Sequence, residues 1–140
     1  MKDINEEVLK AWIRLTLTIN KDRLVPDLTF NESVICRLLK ESAKGFLTAS
    51  ELCESTGILK SQMNQILNKM IEKDLIIKER SSTDKREVLI YLKDVKSFDL
   101  QHDKIMAIVQ KITSKLGDKR SKEVAELFNL VADVAAKEKL

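Results

Sequence analysis

The sequence predicts a mostly α-helical fold that contains one small β-hairpin. Apolar residues recur at the three-and-four spacing of amphipathic helices over most of the chain. In one short stretch, Val88, Ile90 and Leu92 stand two residues apart, as in a half-buried strand. The 140 residues include only three Gly and one Pro, which leaves little room for an all-β fold or long linkers.

The first predicted helix covers residues 3 to about 21 and has an unusually wide apolar arc. Two neighbouring stripes form this arc: Ile4, Val8, Trp12, Leu15 and Ile19, and beside them Leu9, Ile13 and Leu17. A helix at the end of a small domain turns only one side to its own core. The arc therefore indicates a second apolar contact, most simply with another subunit, although burial within the chain is the alternative. Residues 23–27 are expected to break this helix.

The second predicted helix begins at a capping box. Thr29 and, three residues later, Glu32 have the spacing that satisfies two amide donors at a helix start, so we expect a helix from Phe30 to about residue 42. Its apolar residues are expected to pack on the segment that follows; they are Phe30, Val34, Leu38 and Leu39.

Two short helices and a hairpin follow between residues 48 and 92. Thr48 and Glu51 form another capping box, and the helix that it starts ends near Gly57. The next helix has a buried side with helical spacing, formed by Met63, Ile66, Leu67 and Met70. The hairpin has runs at residues 75–80 and 87–92, and we expect its tip, residues 81–86, to be basic and flexible.

The opposite side of the second short helix, called the polar face below, carries no carboxylate. It consists of Lys60, Ser61, Gln62, Asn64, Gln65, Asn68 and Lys69. An ordinary solvated surface is the simpler explanation, but ten residues without an acid are unusual in a chain that has 22. The face matches an anionic partner rich in hydrogen-bonding groups, and the major groove of DNA has both properties.

The charge distribution agrees with this interpretation. The net charge is only +3, but residues 59–93 carry 8 basic and 5 acidic side chains. Residues 1–58 carry 8 and 9, and residues 94–140 carry 9 and 8. The positive excess therefore lies on the polar face and the hairpin, as expected for a nucleic-acid-binding surface.

Helix, turn, helix and hairpin in this order resemble the winged helix-turn-helix, and the residues resemble those of the multiple-antibiotic-resistance regulator (MarR) family. The motifs that carry the resemblance are Leu47-Thr48-Ala49-Ser50-Glu51-Leu52, Gly57-Ile58 followed by Lys60-Ser61, Ile66-Leu67-Asn68-Lys69-Met70, Glu72-Lys73 before Leu75-Ile76, and Asp84-Lys85-Arg86 at the wing tip. The resemblance implies that the second helix reads base edges. It also implies that Arg86 enters the adjacent minor groove, with Asp84 orienting it.

Three residues depart from the family pattern. Leu59 stands where a capping Ser or Asp is usual, so the second helix is expected to start about 1 kcal/mol less favourably. Asp74 stands where a helix-ending Gly is common. Gln65 stands where an Arg is frequent, so no operator sequence is inferred from the family.

The expected DNA contacts fall into two groups. Ser61, Gln62, Asn64 and Gln65 are expected at base edges or nearby phosphates, and the amides favour an A·T-rich site. The expected phosphate contacts are Lys60, Lys69, Lys78, Arg80 and Lys85.

Two amphipathic helices are predicted after the hairpin, at residues 94–116 and 121 to about 137, with a turn at Gly117 and Asp118. The resemblance implies that the terminal helices intertwine into a twofold dimer. We therefore divide the chain into an N-terminal dimerisation helix and connection (1–28), a winged helix-turn-helix DNA-binding domain (29–93) and C-terminal dimerisation helices (94–140).

Catalysis is not expected. His102 is the single histidine, and the sequence has no Gly-rich phosphate loop, nucleophile elbow or paired-histidine zinc motif, so we expect neither an enzyme nor a metal or other cofactor. Cys36 and Cys53 give no disulfide framework and stand among apolar residues. We expect a cytoplasmic protein without a leader or a membrane span.

We interpret the chain as a homodimeric DNA-binding transcription regulator of MarR type, in the repressor mode, that binds a pseudo-palindromic operator. The resemblance also implies a small-molecule effector, for which Trp12, Phe30 and Cys36 are candidate lining residues. Two alternatives stay open: a winged-helix module that binds an acidic protein partner, and a regulator on the same scaffold that senses oxidants through a thiol.

Overall fold

A computed structural model describes residues 3–21 and 28–138 of the chain. The helices are α1 (Ile4–Lys21), α2 (Phe30–Glu41), α3 (Ala49–Thr56), α4 (Lys60–Glu72) and α5 (Val95–Lys137), and the strands are β1 (Leu47–Thr48), β2 (Ile76–Arg80) and β3 (Val88–Leu92). The chain forms two compact units, residues 1–102 and residues 103–140. The predicted helix break at residues 23–27 lies outside the described residues.

The sheet of the first unit has three antiparallel strands in the order β1-β3-β2. The predicted hairpin is confirmed as β2 and β3, in which Lys78 lies opposite Ile90. Strand β1 was not predicted: it pairs Leu47 with Ile90 on the other edge of β3. Two residues are too few to show a period, but they fix the start of α3 against the central strand.

Both capping boxes form as predicted. In the first, Glu32 N donates to Thr29 Oγ1 at 3.1 Å, and Thr29 N donates to Glu32 Oε1 at 2.9 Å. In the second, Thr48 and Glu51 make the same two bonds, both at 3.1 Å. Helix α3 ends at Gly57, whose φ of 75° is in the left-handed region that glycine adopts readily.

The core of the first unit lies where α2, α3, α4 and the sheet meet. Its fully buried side chains are Ile35, Cys36, Leu52, Met63, Leu67, Met70, Ile76 and Ile90. The packing predicted for Phe30 is wrong, since this side chain is 70% exposed. The buried stripe of α2 runs through Glu32, Ile35 and Leu39. Phe30 lies about 200° around the helix from Glu32, on the outer side.

Helix α1 leaves its apolar arc open. Ile4, Val8, Trp12 and Leu17 are each 60% exposed or more. Exposed apolar patches of this kind mark interaction surfaces in soluble proteins. The wide arc predicted from the sequence is therefore present and is not covered by the described part of the chain.

Helix α5 breaks where the sequence predicted a turn. Gly117 has φ 81° and ψ 165°, which are not helical values, so a helical segment lies on each side of it. In the second unit, the side chains of Leu127, Phe128, Leu130, Val131 and Val134 are all more than half exposed. Every helix within the described residues is too short or too polar to span a lipid bilayer.

Candidate nucleic-acid interface

Helix α4 separates its residues into a buried side and an exposed side. Met63, Leu67 and Met70 are completely buried against the core. The residues of the polar face are all exposed: Lys60, Ser61, Gln62, Asn64, Gln65, Asn68 and Lys69. The core contacts therefore fix which side of α4 faces outward.

The start of α4 is open to an anion. Leu59 stands at the N-cap and makes no side-chain cap bond, and the first turn contains no acid. The first internal bond of the helix runs from Met63 N to Leu59 O at 2.8 Å. The amides before it point out of the helix end and carry its partial positive charge, which suits a phosphate group.

Replacing Leu59 with serine is expected to stabilise the protein. The Leu59 side chain is 74% exposed, so little burial is lost, and a serine hydroxyl at the N-cap can accept an amide hydrogen bond worth about 1 kcal/mol. Thermal unfolding should show a melting temperature a few degrees higher. Leu59→Ala is the matched control, because alanine cannot accept that bond, and equal melting temperatures for the two variants would contradict the expectation.

The end of α4 is closed by a Schellman motif. Leu75 N donates to Met70 O at 3.0 Å, and Asp74 N donates to Ile71 O at 2.9 Å. Asp74 has φ 60°, so it takes the left-handed conformation for which glycine is more common. Leu75 and Met70 are both buried, so the apolar contact that usually accompanies this motif can form. The motif directs the chain from α4 into β2.

The tip of the hairpin, which the sequence predicts to be basic and flexible, forms a hydrogen-bonded turn. The buried Ser81 hydroxyl accepts from the backbone amides of Thr83 and Asp84, both at 3.2 Å. Ser81 N donates to Glu87 O at 3.0 Å, and Glu87 N donates to Asp84 O at 3.0 Å. Sequence analysis missed Ser81, although serine two and three residues before bonded amides is a known turn signal.

Arg86 extends from this turn into solvent. Asp84 Oδ1 accepts from Arg86 N at 3.0 Å and from Arg86 Nε at 3.4 Å, while the Arg86 side chain is 93% exposed. Such an exposed pair adds little to the stability of the fold. Arg80 Nη1 donates to Lys85 O at 2.8 Å and supports the same turn.

One contact joins the hairpin to the polar face. Lys78 Nζ on β2 donates to Asn68 Oδ1 on α4 at 3.4 Å. The structure therefore brings the α4 residues and Lys78 together within one unit. Among the predicted phosphate contacts, Lys60, Lys69, Arg80 and Lys85 are exposed and Lys78 is half-buried.

The three candidate effector-lining residues have very different environments. Trp12 on α1 is 67% exposed and Phe30 at the start of α2 is 70% exposed, whereas Cys36 is buried in the core. A pocket lined by these residues stays a prediction.

Burial disfavours the thiolate form of Cys36. It raises the thiol pKa from its ordinary value of 9.0 to about 12, and the carboxylates of Glu32 and Asp94 add to this rise. The reactive species is the thiolate, which is scarce at neutral pH when the pKa is this high.

We therefore expect peroxide at pH 7–8 to leave Cys36 reduced and DNA affinity unchanged, with thiol mass labelling as the measurement. Cys53→Ser isolates this thiol as a control. Above pH 9.0 the unfolded thiol ionises while the folded one does not, so this group's contribution to stability is complete below pH 9.0 and falls as the pH rises towards 12. Rapid labelling of Cys36 in the folded protein would contradict the expected low reactivity of this thiol.

The remaining candidate for chemistry, His102, lies half-buried on α5. Its ring stacks on Phe98 with 6.2 Å between centroids. Within residues 3–21 and 28–138, no group of three or more His, Cys, Asp or Glu side chains is placed to hold a metal ion.

The chain matches a known family and known structures. The MarR family model matches residues 27–87. The PcaV transcriptional regulator from Streptomyces coelicolor, solved with its natural ligand, is 19% identical, with a TM-score of 0.81 over 99% of both chains. The repressor CouR, bound to a 23-mer DNA duplex, is 20% identical, with a TM-score of 0.81 over 96% of both chains.

A third structure, Sco3205 from Streptomyces coelicolor in complex with DNA, is 18% identical, with a TM-score of 0.81 over 95% of this chain and 89% of that one. None of the curated proteins compared with the sequence matches it. The MarR family consists of transcription regulators and not of enzymes. On this evidence, residues 27–87 match the MarR family model, and the chain has the fold of the solved transcription regulators.

Proposed function

We propose that this protein represses transcription as a homodimer that binds a pseudo-palindromic operator with one α4 helix per half-site. The observation that carries the proposal is the exposed, carboxylate-free polar face of α4, which Lys78 of the hairpin contacts through Asn68. The open amide end of α4 adds a site for a phosphate group. Two proteins of the same fold, CouR and Sco3205, were solved with DNA, which supports this assignment.

The dimer is supported by apolar surface at both ends of the chain. Trp12 on α1 and Val131 on α5 are each more than 60% exposed, and neighbouring apolar residues are exposed with them. Since a twofold dimer binds two half-sites, its symmetry would set the symmetry of the operator. We also propose that the protein acts in the cytoplasm.

Recovery of bound sequences from a random pool of duplexes tests this function. We expect two inverted half-sites about one helical turn apart, with adenine contacts by amide side chains favouring A·T pairs. Uniformly G·C-rich half-sites would contradict the expected preference for A·T pairs. Failure to recover any sequence, together with no retardation of duplex DNA in dilute buffer, would overturn the function itself.

Replacing Arg86 with alanine is expected to weaken operator binding about tenfold without unfolding the protein, since a good base contact contributes about 1–3 kcal/mol. Titration of a labelled operator measures the affinity, and circular dichroism checks the fold. The control is Lys96→Ala, an exposed cation on α5 outside the proposed interface. Equal affinities of the two variants would show that the hairpin tip does not enter the minor groove.

We also propose that a small molecule regulates binding by favouring a dimer whose half-site spacing no longer fits the operator. The support is the fold shared with PcaV, which was solved with its natural ligand. Trp12 and Phe30 stay candidate contacts, because both side chains are exposed.

A protein partner is the second candidate function. The same basic surface suits an acidic protein, but binding to random duplex DNA separates the two functions. A DNA-binding protein that neutralises several phosphates loses affinity steeply as salt increases, with a slope of about −0.9 per phosphate in log units. No measurable affinity for duplex DNA at low salt would favour the protein partner.

A further inference from the structure

A buried carboxylate lies at the start of α2. Glu32 is 2% exposed, and among the described residues it is the one buried acid. Its Oε1 accepts from Thr29 N at 2.9 Å as part of the capping box. Cys36, one helical turn further along α2, is 1% exposed, so Glu32 lies at the edge of the apolar core.

Glu32 is bound to the last turn of the proposed recognition helix. Lys73 Nζ donates to Glu32 Oε1 at 2.8 Å and to Oε2 at 3.1 Å. Lys73 is the C-cap residue of α4, and its backbone amide donates to Lys69 O at 3.1 Å. The two residues are 41 positions apart in the sequence, so the pair ties the first turn of α2 to the end of α4.

Stability alone does not explain this pair. Moving a carboxylate into the core costs free energy, and a paired charge there is often no more stabilising than an apolar side chain of the same volume. The apolar contacts of Met63, Leu67 and Met70 already hold α4 against the core. What the charged pair adds is a link between two helices, because both oxygens of the buried Glu32 carboxylate accept from the Lys73 ammonium group, which is 41% exposed.

We propose that the Glu32–Lys73 pair is a positioning device that sets the angle at which α4 presents its polar face to DNA. The proposal rests on the DNA-binding function proposed above. Helix α4 has 13 residues and is therefore about 20 Å long, so a tilt of about 10° at its end moves its start by about 3 Å. That displacement exceeds the tolerance of a hydrogen bond, so residues near Ser61 lose their base contacts.

The first test uses Glu32→Gln and Lys73→Met with the operator. Glutamine keeps the size of Glu32 and can still complete the capping box, but it removes the charge. Each variant is expected to bind the operator at least tenfold more weakly, with an unchanged slope of log affinity against log salt concentration. The double variant is expected to bind no more weakly than either single variant. Lys73→Arg, which keeps the charge, is expected to recover most of the affinity.

Two results would overturn the proposal. If Lys73 contacts a phosphate directly, Lys73→Met alone reduces the salt slope by about one and Glu32→Gln has no effect. If the pair only stabilises the fold, both variants melt earlier but bind the operator normally well below their melting temperatures.

A second test works without DNA and separates this proposal from the proposed function. Amide hydrogen exchange and backbone chemical shifts of residues 60–73 are compared in the wild type and the two variants. If the pair positions α4, the exchange rates and chemical shifts change in the same pattern in both variants, and the changes extend to the start of α4. If this pattern appears in a protein that binds no duplex, the DNA-binding function fails and the positioning of α4 stands. Unchanged signals in α4 would overturn the positioning role.

Discussion

Replacing Gln65 with glutamate is expected to weaken operator binding roughly a hundredfold at about 0.1 M salt, since like charges held together across an interface cost several kcal/mol. Gln65 lies in the middle of the polar face, which has no carboxylate along ten residues. The substitution changes no heavy-atom volume, but it turns an amide that can donate a hydrogen bond into a charged group that only accepts. It therefore tests electrostatic complementarity without altering shape.

The fold should be unaffected by this change. Gln65 is exposed, and substitutions at such positions usually alter the free energy of unfolding by less than about 0.5 kcal/mol. Gln110→Glu is the matched control, because it makes the same chemical change at an exposed position on α5. Affinity is measured by titration of labelled operator and stability by urea unfolding. Equal affinities of the two variants would show that the polar face of α4 does not meet the phosphates.

Most of the fold could be predicted because its signals are local. A capping box needs only residues three apart, and Thr48 with Glu51 forms one where the sequence placed it. The break at Gly117 needs only one glycine with a positive φ. The buried side of α4 follows from apolar spacing over three turns, which is again read within a short window.

The features that were missed depend on residues far apart or on elements too short to show a pattern. Strand β1 has two residues, and its pairing with β3 is set by the packing of the whole unit. The burial of Glu32 requires a partner 41 positions away, and a glutamate on a helix is normally expected in solvent. This burial also explains the error at Phe30, because the carboxylate occupies the inner side of α2 that an apolar pattern would assign to other residues.

The sequence predicted which residues form the candidate site, but it did not predict how they are arranged in space. The absence of acids from residues 60–69 identifies the polar face of α4 from the sequence alone. The hydrogen bonds that shape the hairpin tip do not follow from composition. Ser81 is buried and accepts two backbone amides, and this closed turn is what holds Asp84 and Arg86 at the tip.

Replacing Trp12 with glutamate is expected to dissociate the proposed dimer. Trp12 is 67% exposed within the described chain and lies in the middle of the apolar arc of α1. An indole of this kind can bury about 150–250 Å². At about 25 cal/mol per Å², and counted once per subunit, loss of this contact raises the dimer dissociation constant by about a thousandfold or more.

Sedimentation equilibrium over a range of protein concentrations measures this shift. Arg14→Glu is the control, because it introduces the same carboxylate about 200° around α1, outside the apolar arc. Loss of the dimer should also reduce operator affinity sharply, because a monomer binds only one of the two half-sites. If Trp12→Glu remains dimeric at the concentrations where the wild type is dimeric, then α1 is not the dimer contact. The exposed residues near Val131 would then have to form the dimer contact without α1.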